Sequence, residues 1–170
     1  MLIGKKVADA INQQIGHEFG ASLQYVSIAS YFANESLPEL SKFFHTQANE
    51  ERDHALKFAK YLVDAGTTVA IPAIPAPTTG FKSAEEAFKL SVEWEMTVTK
   101  QITTIVDLAR TEKDHLTENF LQWFLTEQLE EVSSMEGLLA MVRRAGESGL
   151  FYVEEYLARR VPEAGGAGAE

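Results

Sequence analysis

Glu51 and His54 stand three residues apart in the run Gln47-Ala48-Asn49-Glu50-Glu51-Arg52-Asp53-His54, which reads as helical. That spacing puts a carboxylate and an imidazole on one helix face, where both can reach the same point. Phe44, Gln47, Ala48, Phe58, Tyr61 and Ala65 recur on this face at steps of three and four, so the pair is aimed at an apolar interior. An unpaired charge there costs roughly several kcal/mol, and a bound cation is the simplest way to offset it. A chance Glu and His on a partly exposed helix would give the same motif. What matters is whether other helices send matching groups.

Glutamates do recur inside apolar stripes elsewhere in the chain. Glu18 falls among Ile11, Ile15, Ser22, Tyr25, Ala29 and Phe32, and Glu95 among Phe88, Val92, Ile102, Val106 and Ala109. Glu127 and Glu131 share a stripe with Phe120, Phe124, Met135, Leu138 and Val142. One such residue is usually an edge position that reaches out to water. Carboxylates from each of four helices would repel one another strongly without cations. Hard oxygens with one imidazole suit iron, manganese or, less selectively, zinc, and Glu51 is the best candidate for a carboxylate shared between two cations.

The elements that must position these groups are four long helices and a short one. The first is predicted from about Lys5 to Asn34. The second follows a break at Glu35-Ser36-Leu37-Pro38, with Ser36 as its cap, and stops at Gly66. From Thr67 to Lys82 the prolines at 72, 75 and 77 exclude a helix and favour an extended connection. At ~3.1–3.3 Å per residue it spans on the order of 50 Å, against ~42 Å for a helix of about 28 residues. It can therefore carry the chain the full length of a bundle and start the third helix where the second began. Ser83 with Glu86 starts that helix, which runs to about Glu112. The fourth follows Lys113-Asp114 and ends at Gly146. A fifth, over Leu150 to Arg160, is too short to stand alone and must dock. Residues 1–160 are expected to form one domain and 161–170 a flexible tail.

Composition narrows the chemistry. Over 170 residues the formal net charge is −10, which argues against nucleic acid or an anionic membrane as partner. No cysteine is present, so disulfides, thiolate nucleophiles, zinc–thiolate sites and iron–sulfur clusters are excluded, and any metal must be held by oxygen and imidazole. The first residues lack the apolar run of a signal peptide and no stretch approaches a membrane span, so a cytoplasmic location is expected. His17, His45 and His115 have no matching partner and are expected at the surface.

Over about Lys5 to Arg160 the sequence resembles the non-haem bacterial ferritins. The resemblance is carried by His17-Glu18 followed by Tyr25, by Asn49 to His54, by Glu95, and by the run Phe120-Leu121-Gln122-Trp123-Phe124-Leu125-Thr126-Glu127-Gln128-Leu129-Glu130-Glu131. It implies an all-α, ferritin-like four-helix bundle with a long crossover between helices two and three and a short fifth helix. It implies iron storage and detoxification: Fe2+ is oxidised by dioxygen or peroxide at a di-iron ferroxidase centre, and ferric oxide is deposited in a hollow homo-oligomer of about 24 subunits. Carried over by residue, Glu18, Glu51 and His54 resemble one iron site. Glu51, Glu95 and Glu131 resemble the other, with Gln128 beside it. Tyr25 and Trp123 match the family's aromatics near the centre. Glu50, Glu127, Glu130 and Glu131 are similar to a third, all-oxygen site, which Asp53 would extend, and Glu118 to a carboxylate of the three-fold channels.

Two departures separate the chain from haem-carrying relatives. Glu130 stands where a second Glu-x-x-His motif would place its histidine, and Arg52 stands where a haem-ligating methionine would lie. Haem is therefore not expected. An alternative reading is a di-iron oxidase or oxygenase acting on an organic substrate, which needs an apolar cavity beside the metals. A metal-free helical scaffold is the third.

Overall fold

The structure, a computed structural model, describes residues 2–159. Five α-helices account for most of them: α1 (Lys5–Asn34), α2 (Pro38–Asp64), α3 (Ala84–Thr111), α4 (His115–Ala145) and α5 (Leu150–Arg159). No strand occurs among the described residues. The expected tail, 161–170, and the last residue expected in the fifth helix, Arg160, lie outside them.

Each helix end has a physical cause. Ser83 caps α3 by accepting from the Glu86 N–H at 3.1 Å, and Asp114 caps α4 through the Thr117 N–H at 3.0 Å. Gly66 and Gly146 take positive φ just past α2 and α4, where a side chain would be strained. Ser36 departs from expectation, because it does not cap α2. It occupies the left-handed region at φ 60° and closes α1, its own N–H donating to Ala33 and that of Leu37 to the Phe32 carbonyl. The start of α2 is capped from a distance. The Glu154 carboxylate on α5 accepts from the N–H groups of Glu39 and Leu40, at 3.0 and 2.7 Å. That contact, with Leu150, Val153 and Leu157 buried in the core, docks the short fifth helix.

The crossover has no regular secondary structure from 67 to 81, yet it is anchored along its length. Asn12 on α1 donates to the Thr68 carbonyl (3.1 Å) and accepts from the Ala70 N–H (2.7 Å). Three turns on, Gln24 makes the same two-way pairing with the backbone of Thr78, at 3.1 and 2.8 Å. These amides give an isolated extended segment the partners a sheet would otherwise supply. The crossover thus climbs alongside α1 and delivers α3 to the end of the bundle where α2 began.

Gly16 lets it lie close. A Cβ at this position would run into the Pro72 ring, well inside contact distance. Gly16→Ala is expected to lift the crossover off α1 and cost about 1–3 kcal/mol, as overpacking does. Chemical denaturation should show the loss. An unchanged midpoint would mean the crossover is not packed as described.

The apolar interior falls into two clusters. One holds Tyr25, Phe32, Phe44, Phe88 and Met135, and the other Ile15, Phe58, Ile102, Leu121 and Phe124. The glutamates of the apolar stripes meet at the waist between them.

Candidate metal centre

Four helices bring acidic groups to this waist. Glu18 comes from α1, Glu51 and His54 from α2, Glu95 from α3 and Glu131 from α4, and all are buried. Glu18, Glu51 and His54 offer ligand atoms within 4.8 Å of one another, and so do Glu51, Glu95 and Glu131. Glu51 belongs to both groups. His54 Nδ1 lies 3.4 Å from Glu51 Oε2 and 3.9 Å from Glu131 Oε1.

Hydrogen bonds account for part of this polarity and leave a defined remainder. Gln14, four residues before Glu18 and itself buried, donates to Glu18 Oε1 at 2.9 Å. The Tyr25 hydroxyl donates to Glu95 Oε1. The Gln128 amide donates to Glu95 Oε2 at 3.2 Å and to its carbonyl at 3.1 Å, and also to Thr99 Oγ1. Gln128 therefore turns its amide nitrogen to Glu95 and steadies that carboxylate. Glu18 Oε2, Glu51 Oε2 and Glu131 Oε2 are buried without any hydrogen-bond partner. Orphaned buried acceptors on such neighbouring carboxylates are costly unless a cation takes them up.

Burial and mutual repulsion show in the acid–base behaviour. Burial pushes the Glu18 carboxyl up to about 7, and the charge of Glu95 adds to this. Glu51 is driven well above the carboxylate range by burial, then by Glu95, Glu131 and Glu18. Glu131 follows for the same reasons, burial first and then Glu95 and Glu18. Glu95 is raised by burial while the Tyr25 and Gln128 hydrogen bonds resist. His54 moves the other way, to about 4, because burial and then the Lys57 charge disfavour an imidazolium. It is neutral at physiological pH, the form that binds a cation. The Tyr25 hydroxyl is held protonated by burial and the charges of Glu95 and Glu51. A divalent cation reverses the carboxyl shifts by its own charge, so binding displaces protons.

The remaining residues singled out in the sequence fall around this centre. Glu127, half-buried, joins His54 and Glu131 in a further group within 4.8 Å. Glu50 and Glu130 stay outside it with much of their surface in water, though burial and then Glu130 raise the Glu127 carboxyl, and Glu50 adds a little to the rise of Glu131. The group that the structure brings together here contains an imidazole. Asp53 and Arg52 are exposed and lie 3.4 Å apart. Glu118 is tied up by the Arg110 guanidinium at 2.7 Å, which holds its carboxyl low, with His115 nearby. His17, His45 and His115 are exposed, as expected.

Sequence reasoning missed Gln14, Thr99 and Lys57. Gln14 carried a readable signal, a Gln four residues before a stripe glutamate on one helix face. Thr99 and Lys57 gave none, because their partners lie on α4.

A model of the ferritin family, described as the ferritin-like domain, matches residues 8–145. Ferritin BfrB of Mycolicibacterium smegmatis is 45% identical over 155 residues, covering 91% of this chain and 85% of its own length. A bacterial non-heme ferritin of Bacteroides fragilis is 33% identical over 159 residues, covering 94% and 100%. The crystal structure of an open-pore ferritin from the archaeon Archaeoglobus fulgidus superimposes with a TM-score of 0.90 at 34% identity, over 94% of this chain and 99% of that one. Family match, relatives and fold agree over nearly the whole described length, and the chain belongs to the ferritin family.

Proposed function

We propose that this protein oxidises Fe2+ at the buried waist of its bundle and stores the ferric product inside a hollow assembly of about 24 copies, as other ferritins do. The observation that carries the reading is Glu51. It is one buried carboxylate common to two cation-sized groups of ligands, with an oxygen no protein group satisfies. Fe2+ is the substrate. Glu18, Glu51 and His54 take one ion, while Glu51, Glu95 and Glu131 take its neighbour. Two ions held side by side can together give up two electrons to one dioxygen, which leaves as hydrogen peroxide after taking two protons; peroxide can serve as oxidant in turn.

The protein's own part is to hold two cations at close range in a dry site. Gln14 and Gln128 orient the outer carboxylates, and the Tyr25 hydroxyl fixes Glu95. Carboxyl groups that are protonated without metal release those protons as the ions enter. The grouping of His54, Glu127 and Glu131, with Glu50 and Glu130 at its rim, is the way onward for oxidised iron.

Assembly is supported by the apolar surface a lone subunit leaves uncovered, including Leu23, Val26, Ile71, Phe151 and Tyr152. No helix among the described residues is long and apolar enough to cross a membrane, and a cytoplasmic cage fits that.

Gel filtration combined with an aerobic Fe2+ oxidation assay tests the whole reading. The expected result is a species of several hundred kilodaltons that turns Fe2+ into soluble ferric product much faster than buffer does. A dimer without such activity would end it. Haem is expected to be absent, since Arg52 stands exposed beside the shared carboxylate and offers no thioether. A Soret band in stoichiometric amount in protein purified from haem-replete cells would contradict this.

A further inference from the structure

Lys57 stands about one turn beyond His54 on α2, and its ammonium lies over the indole of Trp123, 3.3 Å from the ring centroid. Phe124 is next, with its centroid 5.9 Å away. Trp123 in turn meets the His54 ring edge-on at 5.5 Å. Lys57 therefore sits beside the third group of ligands, formed by His54, Glu127 and Glu131.

A lysine beside two carboxylates would ordinarily close on one of them. This one does not. Glu127 and His54 both feel its charge, yet no carboxylate among the described residues comes within ion-pair distance of it. Its close partner is the face of an indole, which holds a cation electrostatically without neutralising it. The third group meanwhile shares Glu131 with the paired positions, and Glu131 Oε2 is buried with no partner. A dication drawn in by that oxygen meets a positive charge already in place, where screening is weaker than in bulk water. Because the ammonium rests on an aromatic face, it can swing aside without a salt bridge having to break.

We propose that Lys57, parked on Trp123, is the resident counter-charge of the His54–Glu127–Glu131 group and keeps any third cation there weakly held. Iron leaving the paired positions then passes on and does not settle. The assignment rests on the iron reading of the paired positions and adds to it the residue that sets how long iron stays beyond them. Trp123 has the supporting part, as the surface that keeps the ammonium off Glu127.

The test is anaerobic Fe2+ titration of the assembled, full-length protein by calorimetry, comparing wild type with Lys57→Met, Lys57→Arg and Trp123→Leu. Met keeps the apolar stem and removes the charge, and position 57 is exposed, so the core is not disturbed. Wild type should show two tight ions per subunit and a weaker third. Lys57→Met should tighten the third by about tenfold, the scale of removing one like charge beside a partly shielded cation. The paired positions should change less than the third, since Lys57 is not among their ligands and of those only His54 feels its charge. Lys57→Arg should behave as wild type. Trp123→Leu should weaken the third further, as the freed ammonium closes on Glu127. Equal third-ion affinity in Lys57→Met and wild type would overturn the proposal, as would a third ion absent from both or tightened equally by arginine. Loss of the two tight ions in wild type would instead remove the iron reading beneath it.

Discussion

Glu51→Ala is expected to abolish rapid aerobic Fe2+ oxidation in a protein that still folds and assembles. Glu51 is the one side chain common to both paired groups, so its removal strips a ligand from each cation position at once. If the paired cations supply several kcal/mol of charge stabilisation, the loss is about a hundredfold or more in rate. His54→Ala removes a ligand from the first group only and should slow oxidation without abolishing it. A structural contrast accompanies the kinetic one. Glu51 Oε2 is buried and unpartnered, so the metal-free Glu51→Ala protein should be at least as thermally stable as metal-free wild type. Stopped-flow oxidation together with a melting curve checks both halves. Wild-type rates in an assembled Glu51→Ala protein would end the assignment of the shared carboxylate.

The second large effect is on the stability of the metal-free protein as pH changes. Glu18 titrates at about 7 in the fold, well above a free carboxyl. Glu51 and Glu131 are raised as well, first by burial and then by one another and their acidic neighbours. A carboxyl whose folded pKa exceeds its unfolded one is neutral in the fold and ionised in the open chain, so stability falls as pH rises through that interval. Each proton kept only by the folded state costs about 1.4 kcal/mol per pH unit.

His54 opposes this at lower pH. Its folded pKa of about 4 lies below the free value, so it costs stability as pH falls from 6.5 toward 4 and contributes no further change above 6.5. From pH 6.5 upward the carboxyls act unopposed. Chelator-treated protein is therefore expected to melt at a clearly lower temperature at pH 8 than at pH 6.5. A redox-inert divalent cation should raise the pH 8 value most and release protons that an indicator dye can count. A metal-free melting temperature that rises between pH 6.5 and 8, or metal binding without proton release, would show that these carboxyls are already ionised in the fold.

Much of this was legible in the chain. Helix periodicity put Glu18, Glu51, His54, Glu95 and Glu131 in buried stripes, because a step of three or four returns a side chain to one face whatever that face meets. Prolines at 72, 75 and 77 and the length of the segment gave the crossover, since ring sterics forbid a helix there and reach is simple arithmetic. Both are local rules, and local rules survive in one dimension. Tertiary structure decided which stripes face each other, and so which carboxylates lie within 4.8 Å. It moved the cap of α2 from Ser36 to Glu154, more than a hundred residues away, which no local pattern encodes. It brought His54 within 4.8 Å of Glu127 and Glu131, because helical phase fixes a direction but not a distance across the bundle. The resting place of Lys57 on Trp123 was settled in the same way, by two helices whose approach only packing determines.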